Sequence, residues 1–112
     1  MEKVKEINLE QNSPTVDTAI RNMVNQLGTC KGQGYKAVIL VHGYGSSGVG
    51  GGIKAAVRSK LRETSLSGIV RLSCGGENWF EKKKELLSIC NPLSDYQRKI
   101  DGNQGVTVVL LK

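Results

Sequence analysis

The stretch VILVHGYGSSGVGGGIKAAVRSKL, residues 38–61, gathers the side chains best suited to chemistry: the single histidine, a run of glycines, serines and a row of cations. An imidazole exchanges a proton near neutrality, so His42 is a candidate acid, base or phosphate ligand. Glycine lets the backbone take positive φ and approach a ligand closely. Where such a loop leaves a strand and opens a helix, the first helical amides lack internal partners and the helix dipole favours an anion. Gly43, Tyr44, Gly45, Ser46, Ser47 and Gly48 are therefore the candidate phosphate cradle. Lys54 and Arg58, with Arg62 after them, follow at four-residue spacing and line one helical face beside it. Each feature has a plainer reading. The histidine can serve only to orient its loop, the charge row can be a solvated face, and Gly50–Gly52 can be a flexible turn.

Stricter motifs are excluded. Gly43, Gly45 and Gly48 satisfy G-x-G-x-x-G. A dinucleotide site also needs an acid at a strand end about 20 residues on. Glu63 has that spacing but falls in a helical pattern, and the following strand ends in LSCGG without an acid. No Walker A lysine and no G-x-S-x-G elbow is present, and nothing marks a third member for a triad of His42 with Ser46 or Ser47. A small nucleotide- or metabolite-binding protein using the same loop remains the alternative function.

The charge balance points to a polyanion. Net charge is +6 in 112 residues and the pI is about 9.4, which suits DNA, RNA or another acidic partner. Aromatic residues make up 4%, too few for an extended base-stacking platform. Cys30, Cys74 and Cys90 are odd in number and lack C-x-x-C spacing, so reduced thiols in a cytoplasmic protein are expected rather than a zinc site. No apolar run reaches the roughly 20 residues of a membrane span, and the N-terminus lacks the apolar core of a signal peptide. No membrane partner and no tightly bound cofactor are expected.

Those residues need elements to position them. KVKEINLE, 3–10, alternates as a strand. Ser13 and Pro14 then suit the N-cap and first position of a helix whose apolar face is Val16, Ala19, Ile20, Met23, Val24 and Leu27, closed by Gly28, Gly32 and Gly34. KAVILVHG reads as a buried strand, and Ile53, Ala56, Val57 and Leu61 as a second amphipathic helix. IVRLSC and GVTVVLLK are further strands, the last of either direction. NWFEKKKELLSI suggests a third helix with Trp79, Phe80, Leu86, Leu87 and Ile89 as its apolar side, and NPLSDYQRKIDGNQG a loop. The alternation of strands and helices implies parallel strands joined by crossovers.

Taken in order, the helix SPTVDTAIRNMVNQL, the strand and loop VILVHGYGSSG, the helix GGIKAAVRSKL and the strand GVTVVLLK resemble the small MutS-related (Smr) domain family. The resemblance implies one domain over 1–112. Its fold would be a two-layer α/β sandwich, βαβαβ(α)β, with a four-stranded mixed sheet and two main helices on one face. It implies binding to DNA or structured RNA and, in some members, endonuclease activity by nicking or RNA cleavage. Two departures stand out. Cleaving members carry an acidic-x-histidine motif after the first strand, where this chain reads Asn8-Leu9-Glu10. Residues 75–105 form an insertion atypical of the family. If cleavage survives, His42 and Glu10 are the candidate catalytic pair at the ends of neighbouring parallel strands. Glu10 would then activate water or anchor Mg²⁺ or Mn²⁺, and would raise the pKa of His42 toward a phosphate-binding cation.

Overall fold

The computed structural model describes residues 3–11, 15–43 and 48–112, with side chains at 48–51 left undescribed. Four strands, β1 (Val4–Asn8), β2 (Ala37–Val41), β3 (Val70–Gly75) and β4 (Val106–Leu111), form one sheet in the order β1-β2-β4-β3. β1 and β2 are parallel, and β4 runs antiparallel to both β2 and β3. β1, β2 and β3 therefore all point the same way and end on one edge of the sheet. Among the helices are α1 (Val16–Gly32), α2 (Gly48–Leu61), α3 (Trp79–Ile89) and the short α4 (Gln97–Ile100).

The central strands are apolar on both faces, and the pleat divides them. Val38, Leu40, Val109 and Leu111 point to the side where Met23 and Leu27 of α1 and Ile53 and Val57 of α2 close the core. Ala37, Ile39, Val108 and Leu110 point to the other side. A sheet with two apolar faces must be covered on both. The expected sandwich of the sheet with α1 and α2 is present, and residues 75–105 add a third layer to it. Trp79, Leu86, Leu93 and Ile100 are fully buried there.

Three local expectations change. The segment read as a loop is instead a 3₁₀ helix, Asn91–Tyr96, followed by α4. Its anchors Leu93 and Ile100 are set among turn residues behind Pro92, so no helical period shows in the sequence. Phe80 is 71% exposed whereas its neighbour Trp79 is buried. Consecutive helical side chains diverge by about 100°, and the core-facing stripe runs through Trp79 and Leu86. α1 continues past Gly28 because Cys30 extends its buried row of Ala19, Met23 and Leu27. The Thr15 hydroxyl accepts from the Thr18 amide at its start, while Ser13 and Pro14 lie outside the described residues. At its end Gly34 has φ +86°, with its amide donating to Lys31 O and that of Tyr35 to Cys30 O, a Schellman closure.

Candidate functional site

The pleat determines where the histidine goes. His42 continues the row Val38, Leu40 just beyond the end of β2, so its ring turns under α2 and is fully buried. Thr107 continues the row Leu111, Val109 on β4 and is also buried. The two meet: His42 Nε2 lies 2.7 Å from Thr107 Oγ1, and Nδ1 lies 2.9 Å from the Gly43 carbonyl. A carbonyl only accepts, which assigns the proton of the neutral ring to Nδ1. Nε2 is then the acceptor and the Thr107 hydroxyl its donor.

The chain of donors runs further. Arg58 Nε donates to Thr107 Oγ1 at 3.3 Å, and its two terminal nitrogens donate to the Glu77 carboxylate at 2.5 and 2.8 Å. Such a fork is among the stronger polar contacts a protein makes. Hydrogen bonds from Arg58 hold the Glu77 carboxyl below its ordinary range. Gly75 makes room for the pair, since a Cβ there would meet Glu77 Oε1 at 2.5 Å and Arg58 Nη2 at 2.7 Å. Donation thus runs from Arg58 to Glu77 on one side, and from Arg58 through Thr107 and His42 to Gly43 on the other.

Burial pushes the His42 pKa down, and the nearby charges of Arg58 and Lys54 push the same way, against the Gly43 hydrogen bond and the Glu77 charge. This reverses the expectation of a histidine made cationic by Glu10. Glu10 does stand at the end of β1, where the register pairs Asn8 with Val41. Its carboxylate, however, lies over Gly43, occupying the space that a Cβ there would need. Gly43 has φ +82°, so it is fixed as glycine by both conformation and contact. Its amide and that of His42 both donate to Gly105 O, at 3.1 and 2.9 Å. The Asn8-Leu9-Glu10 departure has a local structural use as well. The Asn8 side chain accepts from the Glu10 amide at 2.8 Å, and Leu9 is buried in the core.

Of the proposed cradle, Gly43 is placed as described, whereas Tyr44, Gly45, Ser46 and Ser47 lie outside the described residues and Gly48 begins α2. The three cations of the row along α2 and just past its end separate in role. Lys54 reaches Gln104 Oε1 at 3.4 Å on the rim, Arg58 is bound into the network, and Arg62 is exposed. Among the described residues no three His, Cys, Asp or Glu side chains gather closely enough to hold a metal ion. No described helix is long and apolar enough to cross a membrane. All three cysteines are buried thiols, and burial raises the pKa of Cys30 and Cys74.

Sequence reasoning missed Thr107, Glu77 and Gly105. Thr107 left a signal, being the one polar residue in the strand VTVVLL. Glu77 left none, because its meaning depends on the turn after β3 bringing its carboxylate to Arg58 of α2.

No protein-family model matches the sequence, and comparison with curated proteins gives no match. Among solved structures the chain is similar to the Smr domain of Thermus thermophilus MutS2, at 23% identity and a TM-score of 0.60, over 96% of this chain and 98% of that one. The likeness is one of fold, and it spans the whole arrangement of strands and helices described above.

Proposed function

Starting from an Smr-domain fold, we propose that this chain is a nucleic-acid-binding domain whose interface is the sheet edge where β1, β2 and β3 end. The observation that carries the reading is the placement of Lys54 on the rim of that edge, beside the positive-φ Gly43, in a chain of net charge +6. Open α/β sheets bind ligands at the carboxyl ends of their parallel strands. Lys54 forms no ion pair among the described residues, so its charge is available to a phosphate. Arg58 acts differently, by fixing Thr107 and His42.

The reading is of binding rather than cleavage. Both ring nitrogens of His42 are occupied inside the protein, and Glu10 turns to Gly43 instead of the imidazole. A general acid or base needs hydrogen-bond reach to the group it serves.

The test is anisotropy with labelled duplex DNA, branched DNA, structured RNA and a mononucleotide across a salt series, with Mg²⁺, Mn²⁺ or EDTA and a parallel gel for cleavage. Polynucleotide should be retained with a steep salt dependence, and Lys54→Ala should weaken retention and flatten the slope by about 0.9. Retention of the mononucleotide alone would overturn the reading in favour of a small-ligand site. Metal-dependent cleavage lost in His42→Ala would add the enzymatic activity that the geometry does not favour.

A further inference from the structure

A pocket of about 350 Å³ opens on the far side of Thr107, lined by Arg58, Arg62, Ser73, Gly75, Asn78 and Lys82 among others. Three elements contribute to it. Arg58 comes from α2 and Arg62 from just past its end, Ser73 and Gly75 belong to the end of β3, and Asn78 and Lys82 come from the start of the 75–105 segment. Apart from Thr107, its polar side chains are rich in donors: two guanidinium groups, an ammonium, a hydroxyl and an amide. The neighbouring acid Glu77 is already committed to Arg58. Among the described residues neither Arg62 nor Lys82 forms an ion pair, and both are exposed. Two uncompensated cations thus face one small, polar concavity.

We infer that this pocket is a second phosphate site, holding a phosphodiester of the same bound strand next to the one at Lys54. The inference rests on the nucleic-acid reading above. The ligand is an oxyanion because the lining offers several donors and a surplus of positive charge, with Ser73 and Asn78 able to orient the group that Arg62 and Lys82 attract. It belongs to a strand rather than to a separate ligand because Thr107 and Arg58 are shared walls. One side of Thr107 holds His42 and the other faces the pocket, so a chain crossing the Gly43 edge toward β3 meets the pocket next. Arg62 and Lys82 are exposed termini free to close on a phosphate, unlike Arg58. The 75–105 segment would then do more than cover the second sheet face, since it supplies Lys82 and Asn78 to the interface.

The experiment is amide NMR of the full chain titrated with a 5′-phosphorylated trinucleotide, in DNA and RNA arms, for wild type and the Arg62→Ala/Lys82→Ala double variant. Amides of Ser73, Gly75 and Asn78 should shift together with those of Gly43 and Gly105 in wild type. In the double variant the first group should fall silent. Affinity should drop about tenfold at low salt, with the salt slope shallower by about 0.7, the single-strand value for one phosphate. Shifts at Gly43 and Gly105 with none at Ser73, Gly75 and Asn78 would overturn the second site while leaving the first reading intact. Shifts confined to Ser73, Gly75 and Asn78 would uphold the pocket and contradict the reading built on Lys54. Silence at both groups overturns both.

Discussion

Arg58 in α2 and Arg62 just past its end stand four residues apart and serve two different regions. Arg58 is three-quarters buried in a network that ends on His42, with its charge matched by Glu77. Arg62 is exposed at the mouth of the pocket and pairs with no acid among the described residues. The first region is a positioning device and the second is open surface. Residue type and helical spacing do not separate them. What separates them is whether the 75–105 segment brings a carboxylate or a lysine into range. Variants in the two regions should therefore differ sharply in what they damage.

The largest effect belongs to the network. Arg58→Ala leaves the Glu77 carboxylate without its fork and should cost about 2–3 kcal/mol in urea unfolding, below the cost for a deeply buried pair because both partners keep some solvent contact. Thr107→Val keeps the shape but removes the hydroxyl, leaving His42 Nε2 a buried acceptor without a donor, for a loss of about 1–3 kcal/mol. A Thr107→Val variant as stable as wild type would show that the network is incidental. Gly43→Ala should cost about 1–2 kcal/mol for its positive φ, with more from the Glu10 contact. Adding Glu10→Ala should recover the contact portion only, so full recovery would show that the backbone conformation is not strained by a side chain.

The pH dependence separates the regions in a second way. His42 has a folded pKa below its ordinary 6.5. The unfolded chain then binds the proton more readily, so the contribution of His42 is complete above about 6.5 and is lost as pH falls toward the folded value. Glu77 adds a further loss below its ordinary 4.5, because its folded pKa is also lowered. Thermal midpoints across this range should decline in two stages, and Thr107→Val should alter the upper one. The smallest effect on stability belongs to the pocket. Arg62→Ala should change unfolding by no more than about 0.5 kcal/mol while weakening polynucleotide retention. A larger loss would mean that Arg62 is structural after all.

Much of this arrangement was legible beforehand, and the particular residues show why the rest was not. The strands and the first three helices follow from apolar periodicity, as with Ile53, Val57 and Leu61, which face inward as their spacing requires. The direction of β4 could not be read, since side-chain alternation tells which face a residue takes and not which way a strand runs, and VTVVLL is buried throughout. The place of His42 at a strand end was legible, whereas its chemical state was not. That state depends on Thr107, Arg58 and Glu77, which lie 65, 16 and 35 residues away in sequence. The pairing of His42 with Glu10 was inferred from strand ends alone. Strand ends say which residues are near, and side-chain direction decides which of them touch.

The account depends most on the state of His42, a neutral positioning group with surrounding cations left to meet the ligand. Long-range ¹⁵N NMR of the imidazole, followed through a pH titration of the folded protein, measures that state directly. The prediction is a single histidine with Nδ1 protonated and Nε2 bare at neutral pH, titrating below 6.5, with Thr107→Val shifting the Nε2 signal. A ring protonated on both nitrogens at neutral pH, or one titrating above 6.5, would contradict it and return His42 to the role of a phosphate-binding cation.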